Sequence, residues 1–163
     1  MKYYIETEKI EWNTPVNVND ERGKTAFRIV PEKLNALSHT IKIYSPDNIL
    51  AASAKDEKRA VRPKFYIRVE GSNLGTFERK ISLGAPKYKL PYDSWNTKGR
   101  TTGKSYSIVS ADKIICRFER GVKPSYETDE EINAMEIVTD TSSPARDILV
   151  FVLIELVNDI NHF

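Results

Sequence analysis

Few side chains in this sequence could do chemistry, and their types and spacing say which kind. There are two histidines, His39 and His162, and one cysteine, Cys116. Nucleophilic catalysis needs a hydroxyl or thiol beside a base. No Ser-His-Asp ordering, nucleophile elbow, HExxH, phosphate loop or dinucleotide fingerprint occurs. His162 stands next to the last residue, where chains fray. His39, in "ALSHTIK", enters a strand as an ordinary polar histidine. Cys116 falls on an apolar alternation and reads as a buried structural thiol. A single cysteine also excludes an internal disulfide and paired-cysteine zinc sites. Glu130 and Glu131 are adjacent carboxylates in a solvated acidic run, whereas general acid–base work needs a shifted pKa in a cleft. These residues define no catalytic set, metal site or cofactor, and no enzyme is expected.

Charge is more informative. Residues 1–50 carry 7 basic and 7 acidic side chains, residues 51–126 carry 17 and 7, and residues 127–163 carry 1 and 9. The basic middle includes Arg59, Arg62 and Lys64 around one proline, Lys87 and Lys89 alternating around Tyr88, then Arg117 and Lys123. Near an anionic leaflet each lysine or arginine contributes about 1 kcal/mol, lost at high salt. These seven residues are the candidate surface for anionic lipid headgroups or a protein partner. Nucleic acid is the alternative, against which Tyr66, Tyr88 and Tyr106 lie on strands, where packing is commoner than base stacking. In the third reading, a purely structural domain, basic strands and an acidic tail face solvent and partly neutralise each other.

The elements that would position these residues are mainly strands. "VNV-DERG-TAFRIV", "IKIY-SPDN-ILAAS", "FYIRV-EGSN-LGTF" and "YSIV-SADK-IICRF" read as strand, turn, strand. Alternation puts Phe65, Ile67 and Val69 on one face and Tyr66, Arg68 and Glu70 on the other. Likewise Ile114, Cys116 and Phe118 alternate with Ile115, Arg117 and Glu119. "RPKF", "APKY" and "KPSY" each place proline two residues before an aromatic, after a basic stretch. They suggest a degenerate repeat in which Pro63, Pro86 and Pro124 each begin a strand. "KGRTTGK" at 98–104 reads as a mobile loop, and "ETDEE" at 127–131 as an acidic turn or helix start.

"SSPARDILVFVLIELVNDINHF" closes the sequence. Ser143 suits an N-cap and Pro144 the first helical position, which favours a helix over 144–161. "ILVFVLI" is also rich in β-branched and aromatic residues, so a buried strand competes. As a helix, residues 148–154 would be apolar on every side and would need complete enclosure. A membrane span needs about 20 mainly apolar residues. This run is shorter and has charged flanks, so no span is expected. The ten to twelve or so strands suggested by the pattern could close around such a helix.

Over most of its length the sequence resembles the LURP-one-related branch of the tubby C-terminal-like superfamily. Phospholipid scramblases and the tubby domain are more distant relatives. The resemblance rests on "MKYYI", "IKIYSPDNILAASAK", "RPKFYIRVEGSNLGTFERKISLGAPKYKL", "YSIVSADKIICRFER", "SYET" and the terminal apolar run. It implies a single domain over 1–163: a closed antiparallel β-barrel of about twelve strands surrounding a hydrophobic C-terminal helix. It implies much less about function: tubby domains recognise phosphoinositides through basic side chains and scramblases are tied to membrane lipids, while the small bacterial members have no established activity. The absence of a signal-like apolar segment at the start, with a single cysteine, fits a cytoplasmic protein, peripheral at a membrane if it binds lipid.

Overall fold

The computed structural model describes residues 1–7, 9–57, 62–124 and 131–158, without the side chains of 122–124 and 131–132. Twelve strands form one sheet: β1 (Lys2–Ile5), β2 (Val16–Asn19), β3 (Thr25–Asn35), β4 (Ser38–Tyr44), β5 (Leu50–Asp56), β6 (Lys64–Val69), β7 (Ser72–Lys80), β8 (Lys87–Lys89), β9 (Trp95–Lys98), β10 (Ser105–Ser110), β11 (Lys113–Pro124) and β12 (Glu131–Thr139). The helix α1 spans Pro144–Asn158. The sheet order is β8-β7-β6-β5-β4-β3-β2-β1-β12-β11-β10-β9, and every paired neighbour is antiparallel. β8 and β9 end the ladder on either side of a seam, so the wall is a nearly closed barrel.

Tight turns set the registers. In the β2–β3 hairpin the Asp20 carboxylate accepts from the backbone N–H of Arg22 and Lys24, at 2.8 and 3.0 Å. The β6–β7 connection is shorter than its sequence suggests. Glu70 and Gly71 both take positive φ, 51° and 81°, as a two-residue hairpin turn requires, and Ser72 already belongs to the strand. The β10–β11 turn is likewise only Ala111 and Asp112. Gly75, at φ 148°, lets the Pro91 carbonyl come close, for a Cβ there would lie 2.8 Å from that oxygen.

Alternation fills the barrel as expected on β6, where Phe65 and Ile67 are buried and Tyr66 is exposed. It fails on β11. Cys116 and Phe118 are buried, but Ile114 points outward and Ile115 packs against the core. The register shifts so that Ile108 faces Cys116 while Val109 faces Ile114, and the extra residue reverses the alternation. The proline repeat also holds only in part. Pro63 and Pro86 immediately precede β6 and β8, whereas Pro124 ends β11 opposite Glu131. "RGVKP" therefore continues a strand, because residues 119–124 keep their ladder with β12.

The terminal apolar run is the helix, and it fills the barrel. Ile148, Leu149, Val150, Phe151, Val152, Leu153 and Ile154 are each no more than 1% exposed, which one-sided packing could not achieve. Phe151 stacks on Phe118 of β11 at 4.6 Å, while on other sides α1 approaches β4, β5, β7 and β12. Ser143 acts as the N-cap through its backbone, its carbonyl accepting from Asp147 N–H at 3.3 Å. At the other end Arg79 of β7 donates to the Val157 carbonyl at 2.9 Å, satisfying one of the helix's last acceptors.

Candidate binding surface

The outward positions of β6, β7 and β8 bring four of the candidate cations together. Lys64 faces Glu78 across β6–β7, Glu78 faces Lys89 across β7–β8, and Lys80 faces Lys87. Two carboxylates brace this patch. Glu78 pairs with Arg62 at 3.4 Å, and Glu57 pairs with Lys64 at 3.6 Å while accepting from the Tyr66 hydroxyl at 3.1 Å. Lys64 also lies over the Tyr66 ring, 5.7 Å from its centre. Lys87 and Lys89 are exposed, and no carboxylate among the described residues lies within ion-pair distance of either. Tyr88 between them points inward and is buried, which is the alternation that turns both lysines out.

The other candidates stand apart. Arg117 is exposed on β11, in a row with Ser107 and Lys98. Between it and β8 lie the seam, β9 and β10, so it sits on a different part of the wall. Lys123 is in β11 opposite Ile132, with its side chain outside the described residues, as is the whole of Arg59. Glu130 and His162 of the sequence reading also lie outside them, and Glu131 begins β12.

Sequence reasoning missed two polar clusters, one at each end of α1. At its start the fully buried Asp147 carboxylate accepts from the Thr139 and Thr141 hydroxyls, at 2.5 Å each, and from Arg146 Nε at 3.1 Å. Arg146 also lies over the rings of Tyr92 and Trp95, at 5.4 and 4.9 Å, beside the seam. At its finish Glu155 meets Arg120 and the Tyr106 hydroxyl, and Arg120 donates onward to the carbonyls of Thr101 and Gly103. Tyr88 completes this end, with Thr101 at 2.8 Å and Asn158 at 2.5 Å. Burial pushes the Glu155 carboxyl above its usual range, and the Arg120 contact takes back part of that rise. Burial also drives the Tyr106 hydroxyl well above its ordinary value, with Glu155 adding to it. The described groups of this cluster satisfy one another, which suits them to locking the helix end. They also tie down the 98–104 segment, expected to be mobile: Lys98 belongs to β9, and Thr101 is 2% exposed. No local pattern could have revealed these clusters, because their partners lie up to 70 residues apart.

His39 differs from the ordinary polar residue of the sequence reading. It points into β4's inner side, 2% exposed, with Nδ1 2.6 Å from the Asp56 carboxylate and the Trp12 ring 4.9 Å away. Cys116 is buried, and desolvation raises its thiol pKa far above the usual range. No group of three or more His, Cys, Asp or Glu side chains among the described residues could hold a metal ion. No described helix is long and apolar enough to cross a membrane. No family model, curated protein or solved structure matches the chain.

Proposed function

We propose that this protein is a non-catalytic binding module of the tubby-like, LURP-one-related kind, which recognises anionic lipid headgroups through the basic outer face of β6–β8. The observation that carries this reading is the pair Lys87 and Lys89, exposed on β8, with Lys64 on β6 and Arg62 just before it on the far side of β7. Some small barrels hold a ligand inside. Here Ile148 to Ile154 occupy that space, so recognition falls to the outside of the wall. Four cations near an anionic leaflet contribute about 4 kcal/mol at low salt, roughly a thousandfold in partitioning. Glu57 and Glu78 reduce that figure. The protein then works peripherally at a cytoplasmic membrane face.

An acidic protein partner would use the same cations. Nucleic acid is less favoured, because Tyr88 and Tyr106 are buried and leave Tyr66 as the one exposed ring of the three. Co-sedimentation with anionic and neutral vesicles tests the reading. Binding only to anionic vesicles, lost at high salt and in Lys87→Glu/Lys89→Glu, is expected. Equal binding to both vesicles, or none, refutes it. Unchanged binding in the charge-reversed chain refutes the assignment of the patch.

A further inference from the structure

The three most exposed large hydrophobic side chains among the described residues are Leu83, Ile81 and Leu34, at 103, 82 and 73%. Two of them sit three residues or fewer beyond the end of β7, in the connection to β8. That connection is compact: the Ser82 hydroxyl donates to the Ala85 carbonyl at 2.9 Å, and Gly84 takes φ 93°. In a wall of antiparallel strands, successive connections alternate between the two rims. The β7–β8 and β9–β10 connections therefore open at the same rim, on either side of the seam, and β6 starts there too. The C-terminal end of α1 lies at this rim, as its contacts with Arg79 and Thr101 show.

Basic side chains share this rim with the two apolar tips. Lys80 ends β7, Lys87 starts β8 and Lys98 ends β9, while Arg100 and Lys104 lie in the next connection; all five are exposed. Among the described residues of β6–β8 and the connection before β6, the acidic groups nearest this rim, Glu57 and Glu78, already hold Lys64 and Arg62. The opposite rim exposes Ile49 and Ile114 as well, but without a surplus of cations beside them: Asp47 stands in one turn, and Asp112 and Lys113 offset each other in the other. Apolar tips framed by cations match the boundary between headgroups and acyl chains, where apolar insertion and charge attraction add.

We infer that the β7–β8 connection is a membrane-insertion loop, with Ile81 and Leu83 entering the acyl boundary of an anionic bilayer while Lys80 and Lys87 hold the headgroups. This rests on the lipid reading above and adds orientation: the basic face of β6–β8 meets the bilayer with this rim foremost. An environment-sensitive fluorophore on Leu83→Cys reports the contact. Buried Cys116 leaves the new thiol as the selective target. With phosphatidylserine-containing vesicles the emission should shift to the blue and be quenched by brominated acyl chains; with phosphatidylcholine alone it should not. Ile81→Ser/Leu83→Ser should weaken binding at least about tenfold, and Ile49→Ser on the other rim should not.

The outcomes separate the two readings. Unaltered binding of the double variant, with an unshifted label, overturns insertion and leaves headgroup recognition standing. Failure of the wild-type chain to bind anionic vesicles removes both. Dimers of the wild-type chain that the double variant dissolves, without vesicle binding, would assign the loop to self-association instead.

Discussion

Val152 lies at the centre of the filled barrel, and Val152→Lys measures how completely the wall encloses it. The side chain is 0% exposed, and the helix end at Asn158 is six residues away, about 9 Å along the axis. A lysine stem there has no route to water, so the amine must be buried neutral. Holding a group of ordinary pKa about 10.4 neutral at pH 7 costs about 4.6 kcal/mol at about 1.4 kcal/mol per pH unit. Crowding a packed core adds about 1–3 kcal/mol. The sum, about 6–8 kcal/mol, rivals the whole stability of an ordinary domain, about 5–15 kcal/mol. The unfolded chain binds the proton and the folded chain does not, so stability must rise with pH until about 10.4. Urea unfolding followed by circular dichroism at several pH values should show a largely unfolded chain at neutral pH that regains structure in alkali. Val152→Met, which adds bulk without charge, should cost no more than about 3 kcal/mol and show no such slope. A Val152→Lys chain with the wild-type urea midpoint at pH 7 would refute the enclosure of α1.

Three further outcomes are expected. Asp147→Ala should lower stability by about 3–5 kcal/mol, because it strips Arg146 of its carboxylate and leaves the Thr139 and Thr141 hydroxyls without their acceptor; a melting temperature within about 3 °C of wild type would contradict this. Gly75→Ala should cost about 1–3 kcal/mol, since its Cβ would meet the Pro91 carbonyl at a φ of 148°, and chemical denaturation reads it directly. Cys116 should stay unreactive toward a thiol reagent in the native protein and become reactive on unfolding; rapid native labelling would show that β11 opens locally.

The architecture was legible where a short local signal determined it. Ser-Pro before an apolar run places the start of α1, and the run's lack of a polar side calls for enclosure, met by burial from Ile148 to Ile154. Four hairpins were readable from their turn residues. Strand ends were harder, because prolines mislead there. Pro31 looks like a stop, yet β3 runs on to Asn35. Its carbonyl accepts from Asn13, so the proline nitrogen faces that same side and costs the β3–β4 ladder no hydrogen bond. The basic surface was legible as composition but not as geometry. Lys87 and Lys64 share a patch while Arg117 does not, and only the sheet order separates them. Nor could any pattern along the chain show that Ile81 and Leu83 open at the same rim as Arg100 and Lys104.

The order of elements in the chain has a consequence for biosynthesis. Every strand of the wall precedes α1, which supplies the material the wall is built around. A ribosome releases the twelve strands before the segment that fills them, so through most of synthesis their apolar faces have nothing to cover. The barrel cannot finish folding before α1 has emerged. The strands must wait, exposed to aggregation or held by a chaperone, until Ile148 to Ile154 emerge. A nascent chain stalled before residue 144 should therefore remain protease-sensitive along its whole length.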